Sequence, residues 1–233
     1  MSEIAEGMAE SVALPDVVGG EQWIPGLKGE RANQLTHAAA FILCAAGSLC
    51  LMISVLEHGS SLQIAGSLIY AVTNLALFAA STLSHSFVDR SRRDFWRTID
   101  QVCIFVMMAG TFTPVAFASC REGWSAGLIG AMWAVAVFGV FWKLAVTKLE
   151  TVSVWFYVVL GFLPLLVTDR LLATIGSSGL FWVIAGGVSY LVGLIFFMND
   201  HRGRFIHAGW HLMVIAGSIC HYVVVFDCSI RTQ

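Results

Sequence analysis

Charge is what this chain has least of. Only 12% of its 233 residues are Asp, Glu, Lys or Arg, 13 basic against 15 acidic, where a soluble globular domain carries roughly 25%. With 58% hydrophobic residues and a mean hydropathy of +0.79, the composition excludes an ordinary soluble protein and fits a chain whose solvent is lipid, where a charged side chain is expensive at mid-depth. There is no basic domain and no Lys/Arg stripe with interleaved aromatics, which excludes nucleic acid as a partner. Collagen-like, low-complexity and disordered classes are excluded as well. A disulfide scaffold is also ruled out: of the six cysteines, Cys44, Cys50, Cys103 and Cys220 lie inside apolar runs, where a thiol behaves as a small hydrophobe. Cys120 and Cys228, at the outer ends of helices, are left as the pair whose bridging stays open.

The few charges punctuate seven apolar runs: 37–56, 62–87, 99–118, 124–142, 152–167, 179–198 and 205–226. Most reach the roughly 20 residues that span a bilayer as a helix. The fifth is the shortest and carries Pro164, but Leu171 and Leu172 beyond Asp169-Arg170 let it extend or tilt. The expected fold is therefore an all-α membrane protein, a seven-transmembrane helix bundle. Residues 1–36 read as an acidic cytoplasmic tail rather than a signal peptide, because no basic segment leads into an apolar one. Residues 37–227 form the transmembrane domain, and 228–233 a short external tail.

Loop charge sets the orientation. On one side of seven spans lie Lys28, Arg31, Arg90, Arg92, Arg93, Arg97, Lys143, Lys148, Arg202 and Arg204; on the other lie only Arg121, Arg170 and Arg231. The positive-inside rule then places the N-terminus in the cytoplasm and the C-terminus outside. Small residues within the runs, such as Gly127, Gly130, Gly186 and Gly193, suit close helix packing in lipid and say nothing of function.

Ionisable residues inside such runs are functional candidates because the bilayer makes them costly. The second run ends near His85, the third begins beside Asp100, and the seventh begins with His207 and His211, spaced i,i+4 on one face. Three histidines and a carboxylate from three helices thus converge at one depth, near the cytoplasmic surface. Three imidazoles suit Zn²⁺ with the fourth position left for water, the arrangement of a catalytic site, and such a water titrates near neutrality. Asp100 is placed to act as general base, although alone it would serve equally to pair with Arg97 or cap its helix. Ser81, one turn before His85, can bond the water or substrate, or orient a ligand. His58, His201 and His221 read as interfacial or interhelical hydrogen-bonding residues; His221 is about 15 Å along its helix from His211 and outside the site. The arginines at 90–97 read as topology determinants that can also attract anionic headgroups.

The ordered set Glu30-x2-Asn33-x2-Thr36-His37, Ser81-x3-His85, Asp100 and His207-x3-His211 resembles the motifs of the haemolysin III family. That family is the bacterial branch of the progesterone and adipoQ receptor family, which includes the adiponectin receptors. The resemblance covers about residues 28–226. It implies zinc bound by His85, His207 and His211 near the cytoplasmic face, Asp100 beside the metal-bound water, Ser81 as the serine of the second motif, and a multi-pass protein of the bacterial cytoplasmic (inner) membrane. A wider relationship to membrane alkaline ceramidases implies metal-dependent hydrolysis of a lipid amide. The family name implies pore formation, against which no helix carries a repeated polar stripe and the polar groups cluster at one end. Two functions stand: a zinc-dependent hydrolase of a membrane lipid amide or ester, and a non-catalytic sensor or regulator of bilayer state in which zinc staples the helices.

Overall fold

The structure, a computed structural model, describes residues 27–118, 123–145 and 154–230, and those residues contain helices and no strand. In chain order they form α1 (Leu27–His58), α2 (Ser61–Ser84), α3 (Arg90–Ala118), α4 (Gly123–Ala145), α5 (Val154–Phe162), α6 (Thr168–Met198) and α7 (Ile206–Ile230). Short 3-10 turns at Leu163–Val167 and Asp200–Arg202 precede α6 and α7. The Cys120–Cys228 pair includes a residue, Cys120, outside the described ones; Cys228 is buried.

Local chemistry explains the starts and stops. The α1–α2 turn closes on a capping box, in which the Gln63 amide N–H donates to Ser60 Oγ and the Ser60 N–H donates to Gln63 Oε1 at 2.8 Å. The α3 start is capped by Asp89, whose Oδ1 accepts from the Arg92 N–H at 3.0 Å. α1 begins ten residues ahead of its apolar run, because Glu30, Arg31, Ala32 and Gln34 are good helix formers and need no lipid to hold a helix.

The span count differs from the seven runs. Six stretches among the described residues are long and apolar enough to cross a membrane: five lie in α1, α2, α3, α4 and α7, and the sixth is Trp155–Met198, 44 residues that join the fifth and sixth runs. The segment between those runs is helical from Thr168, with Asp169 in the first turn of α6, where a carboxylate is favourable, and Arg170 beside it at 3.5 Å. Its regularity breaks at Gly176, at φ 69° and ψ 179°, a backbone conformation that side chains disfavour.

α3 is the hub, touching α2, α4, α5, α6 and α7, while α1 packs against α2 and α7. Lipid offers helices no hydrophobic incentive to associate, so close packing must hold them. The α2–α3 seam shows how: Gly110 of α3 lies so close to buried Thr73 of α2 that a Cβ there would overlap the Thr73 hydroxyl. This seam fixes the end of α2, which carries Ser81 and His85, against the start of α3, which carries Asp100. Gly110→Ala is therefore expected to cost about 1–3 kcal/mol by overpacking and to lower the thermal midpoint of detergent-purified protein by several degrees. Gly127→Ala, with nothing within 4 Å of its added Cβ, is expected to leave the midpoint unchanged.

Candidate metal centre

Three helix ends and the start of α1 meet at one end of the bundle. His85 is the residue that stops α2, with its own backbone N–H turned back to the Leu83 carbonyl, so its side chain projects past the helix end. His207 and His211 occupy the first turns of α7, one above the other. One nitrogen from each of His85, His207 and His211 can be chosen so that all lie within 4.8 Å of one another, and the three ring centroids are 4.8 to 5.2 Å apart. Small ring rotations bring such nitrogens to the roughly 2.0–2.1 Å that a zinc-type ion requires.

The way the rings are held identifies the nitrogens left for an ion. His85 Nδ1 lies 2.6 Å from Glu30 Oε2, His207 Nδ1 lies 3.3 Å from Asp200 Oδ2, and His211 Nδ1 lies 3.1 Å from both the Asn33 carbonyl and Thr36 Oγ1. Each Nδ1 is thus engaged by a neighbour, two of them carboxylates, and each Nε2 is left for a shared ion. A histidine whose second nitrogen is held this way has its ring orientation and tautomer fixed for metal binding. A donor set of three neutral, oriented imidazoles fits a borderline divalent cation.

Glu30 does two jobs, since its other oxygen accepts from Arg97 Nη2 at 3.2 Å. That bond joins the ends of α1, α2 and α3 through one carboxylate. Asp100 is outside the group of metal-distance donors; it sits beside the Ser81 and Ser84 hydroxyls and the Arg97 charge. Ser81 is buried, with its hydroxyl turned to the Asp100 carboxyl. Asp100 and Ser81 nonetheless line the same cavity as the three histidines. That cavity has a volume of about 1030 Å³ and continues from the polar end into apolar walls that include Leu77, Ile104, Phe112 and Val214.

Two groups escaped the sequence reading. Asp200 carries no motif signal, because it stands in a turn seven residues before the histidine it supports. His37 belongs to the first motif without an evident role; here its ring stacks on His211 with centroids 3.6 Å apart and planes 15° apart, and both of its nitrogens are buried without a partner. Of the other histidines, His58 is exposed beside Glu57, His201 is exposed, and His221 reaches across to the Val183 carbonyl at 3.3 Å, a link between α7 and α6.

Residues 26–222 match the family described as Haemolysin-III related. The chain is 31% identical over 204 residues to a hemolysin-3 homolog of Bacillus subtilis, covering 87% of this chain and 95% of that one. It is 30% identical over 202 residues to hemolysin-3 of Bacillus cereus, covering 85% and 91%. A human monocyte to macrophage differentiation factor is 28% identical over 179 residues, 70% of each chain.

The Nδ1 contacts carry a measurable consequence. Glu30→Gln keeps the shape of the side chain but removes the charge that orients His85, so metal affinity measured by chelator competition is expected to fall about 10- to 100-fold. His207→Ala/His211→Ala is expected to abolish bound metal in elemental analysis.

Proposed function

The chain belongs to the haemolysin III family, and from that membership and its three converging imidazoles we propose an integral membrane zinc protein that hydrolyses a membrane lipid amide or ester. The observation that carries this reading is the position of His85, His207 and His211: they stand on the wall of a cavity of about 1030 Å³ that leads into apolar lining, beside a carboxylic acid that no metal contact uses. A purely structural site would have no need of such a cavity.

Zinc, when bound, supplies Lewis-acid polarisation of the scissile carbonyl and a water acidic enough to ionise near neutral pH. The residues of the chain do the rest. The three histidines hold the ion through Nε2, with Glu30, Asp200 and the Asn33 carbonyl keeping each ring aimed. Asp100 accepts the proton of the attacking water and returns it to the leaving group. The Ser81 hydroxyl, beside Asp100, donates to the water or to the carbonyl oxygen. The apolar part of the cavity seats the acyl chain.

The membrane arrangement follows from length and loop charge. Trp155–Met198 would be about 66 Å long as one straight helix at about 1.5 Å per residue, twice a bilayer core of about 30 Å. A division at Gly176 makes two spans of it, 155–175 and 177–198, and so seven in all. Ten of the thirteen basic residues then fall on the histidine side, a bias that supports an N-terminus and metal centre at the cytoplasmic face and a C-terminus outside. The bacterial relatives support the reading of this membrane as the cytoplasmic (inner) one.

A second reading, a non-catalytic sensor of bilayer state, draws on the way the site ties α1, α2 and α7 at one point. Asp100→Asn separates the two. For the hydrolase, turnover of a lipid panel by zinc-loaded protein is expected to fall about 10²- to 10⁴-fold, the usual worth of a general base, with zinc content unchanged. Wild-type protein that binds lipids and one zinc but cleaves no amide or ester lipid would leave the sensor.

A further inference from the structure

The cavity has a charged rim, two of whose arginines neither the metal nor the hydrolytic step uses. Arg97, Arg202 and Arg204 line it together with the histidines, whereas Arg90 and Arg92, which follow the Asp89 cap at the start of α3, lie outside the lining. A bias of basic residues towards one face of a membrane explains why arginines lie at this end, but not why three of them border one cavity.

The carboxylates near the rim are already engaged. Glu30 holds His85 and Arg97, Asp200 holds His207, and Asp100 faces Ser81, Ser84 and Arg97. Arg202 and Arg204 make no ion pair among the described residues. They are also braced. The Arg202 N–H closes the 3-10 turn on the Asn199 carbonyl at 2.9 Å, and the Arg204 guanidinium lies over the Phe205 ring at 4.7 Å. The Arg204 carbonyl packs onto α1 so closely that a Cβ on Gly29 would be 2.7 Å from it. The side chains are exposed, but the turn that carries them is fixed beside the cavity.

We infer that Arg202 and Arg204 form a headgroup subsite for an anionic, phosphate-bearing lipid whose acyl chain occupies the apolar part of the cavity. Guanidinium forks match phosphate oxygens in charge and geometry, and an uncharged headgroup would leave them merely solvated. With the chain among Leu77, Ile104, Phe112 and Val214 and the phosphate at the arginines, the acyl linkage lies between them, at the histidines. The subsite rests on the lipid-cavity reading above and narrows it to anionic lipids; it does not require that cleavage occur.

The test is native mass spectrometry of the full-length, zinc-loaded protein in detergent, with phosphatidylglycerol and phosphatidylcholine of identical acyl chains supplied in equal amounts. Wild type is expected to retain the anionic lipid about 30-fold over the zwitterionic one, which is about 2 kcal/mol, the size expected of two basic side chains near a lipid surface. Arg202→Gln/Arg204→Gln is expected to remove most of that preference with one zinc per chain kept, and Arg90→Gln/Arg92→Gln to preserve it. Equal retention of both lipids by wild type overturns the subsite, as does an equal loss in both double variants, which reports general surface charge. Inorganic phosphate that binds as tightly as phosphatidylglycerol overturns the lipid assignment. Cleavage is scored separately: a protein that selects the anionic lipid and hydrolyses nothing keeps this subsite and loses the hydrolase.

Discussion

Within a bilayer only protein can satisfy a buried polar group, and the first helix is the element that does so here. Glu30, the Asn33 carbonyl and Thr36 reach the Nδ1 atoms of His85 and His211, so two histidines from different helices are aimed by one. Without α1 these imidazoles would keep their places in the chain but lose their orientation. The ring of His37 adds a stack on His211 from the same helix, one turn beyond Asn33.

That arrangement depends in turn on how closely the other helices approach. The α2–α3 seam is set by Gly110 against Thr73, and α3 carries that seam on to α4, α5, α6 and α7. The result is a bundle that is tight at its seams and open at its centre, since a cavity of about 1030 Å³ runs from the polar end into apolar walls. The tight seams hold the three histidines at fixed places around that hollow.

Charge at the polar end is divided between two tasks. Glu30 serves a histidine and an arginine, and Asp200 serves a histidine, so these carboxylates turn inward to the imidazoles. Arg202 and Arg204 line the cavity rim and make no ion pair among the described residues. Asp100 faces the Ser81 and Ser84 hydroxyls and the Arg97 charge instead of a histidine.

Hydropathy and spacing alone set the helices and the depth of their polar residues. Run length fixes where a helix enters and leaves the bilayer, and so His85, Asp100, His207 and His211 could be placed at one level before any packing was known. The i,i+4 spacing put His207 and His211 on one face. Neither signal fixes the rotation of one helix against another, or which helices are neighbours, and those decided the rest. They set Glu30 on His85, Asp200 on His207 and His37 over His211, and they left a cavity that every helix from α1 to α7 helps to line. Two apolar runs are also joined into the stretch Trp155–Met198, because Asp169 stands in the first turn of α6, where a carboxylate suits a helix start. Depth is a property of one segment and is written in its composition; contact is a property of pairs of segments, and only their packing supplies it.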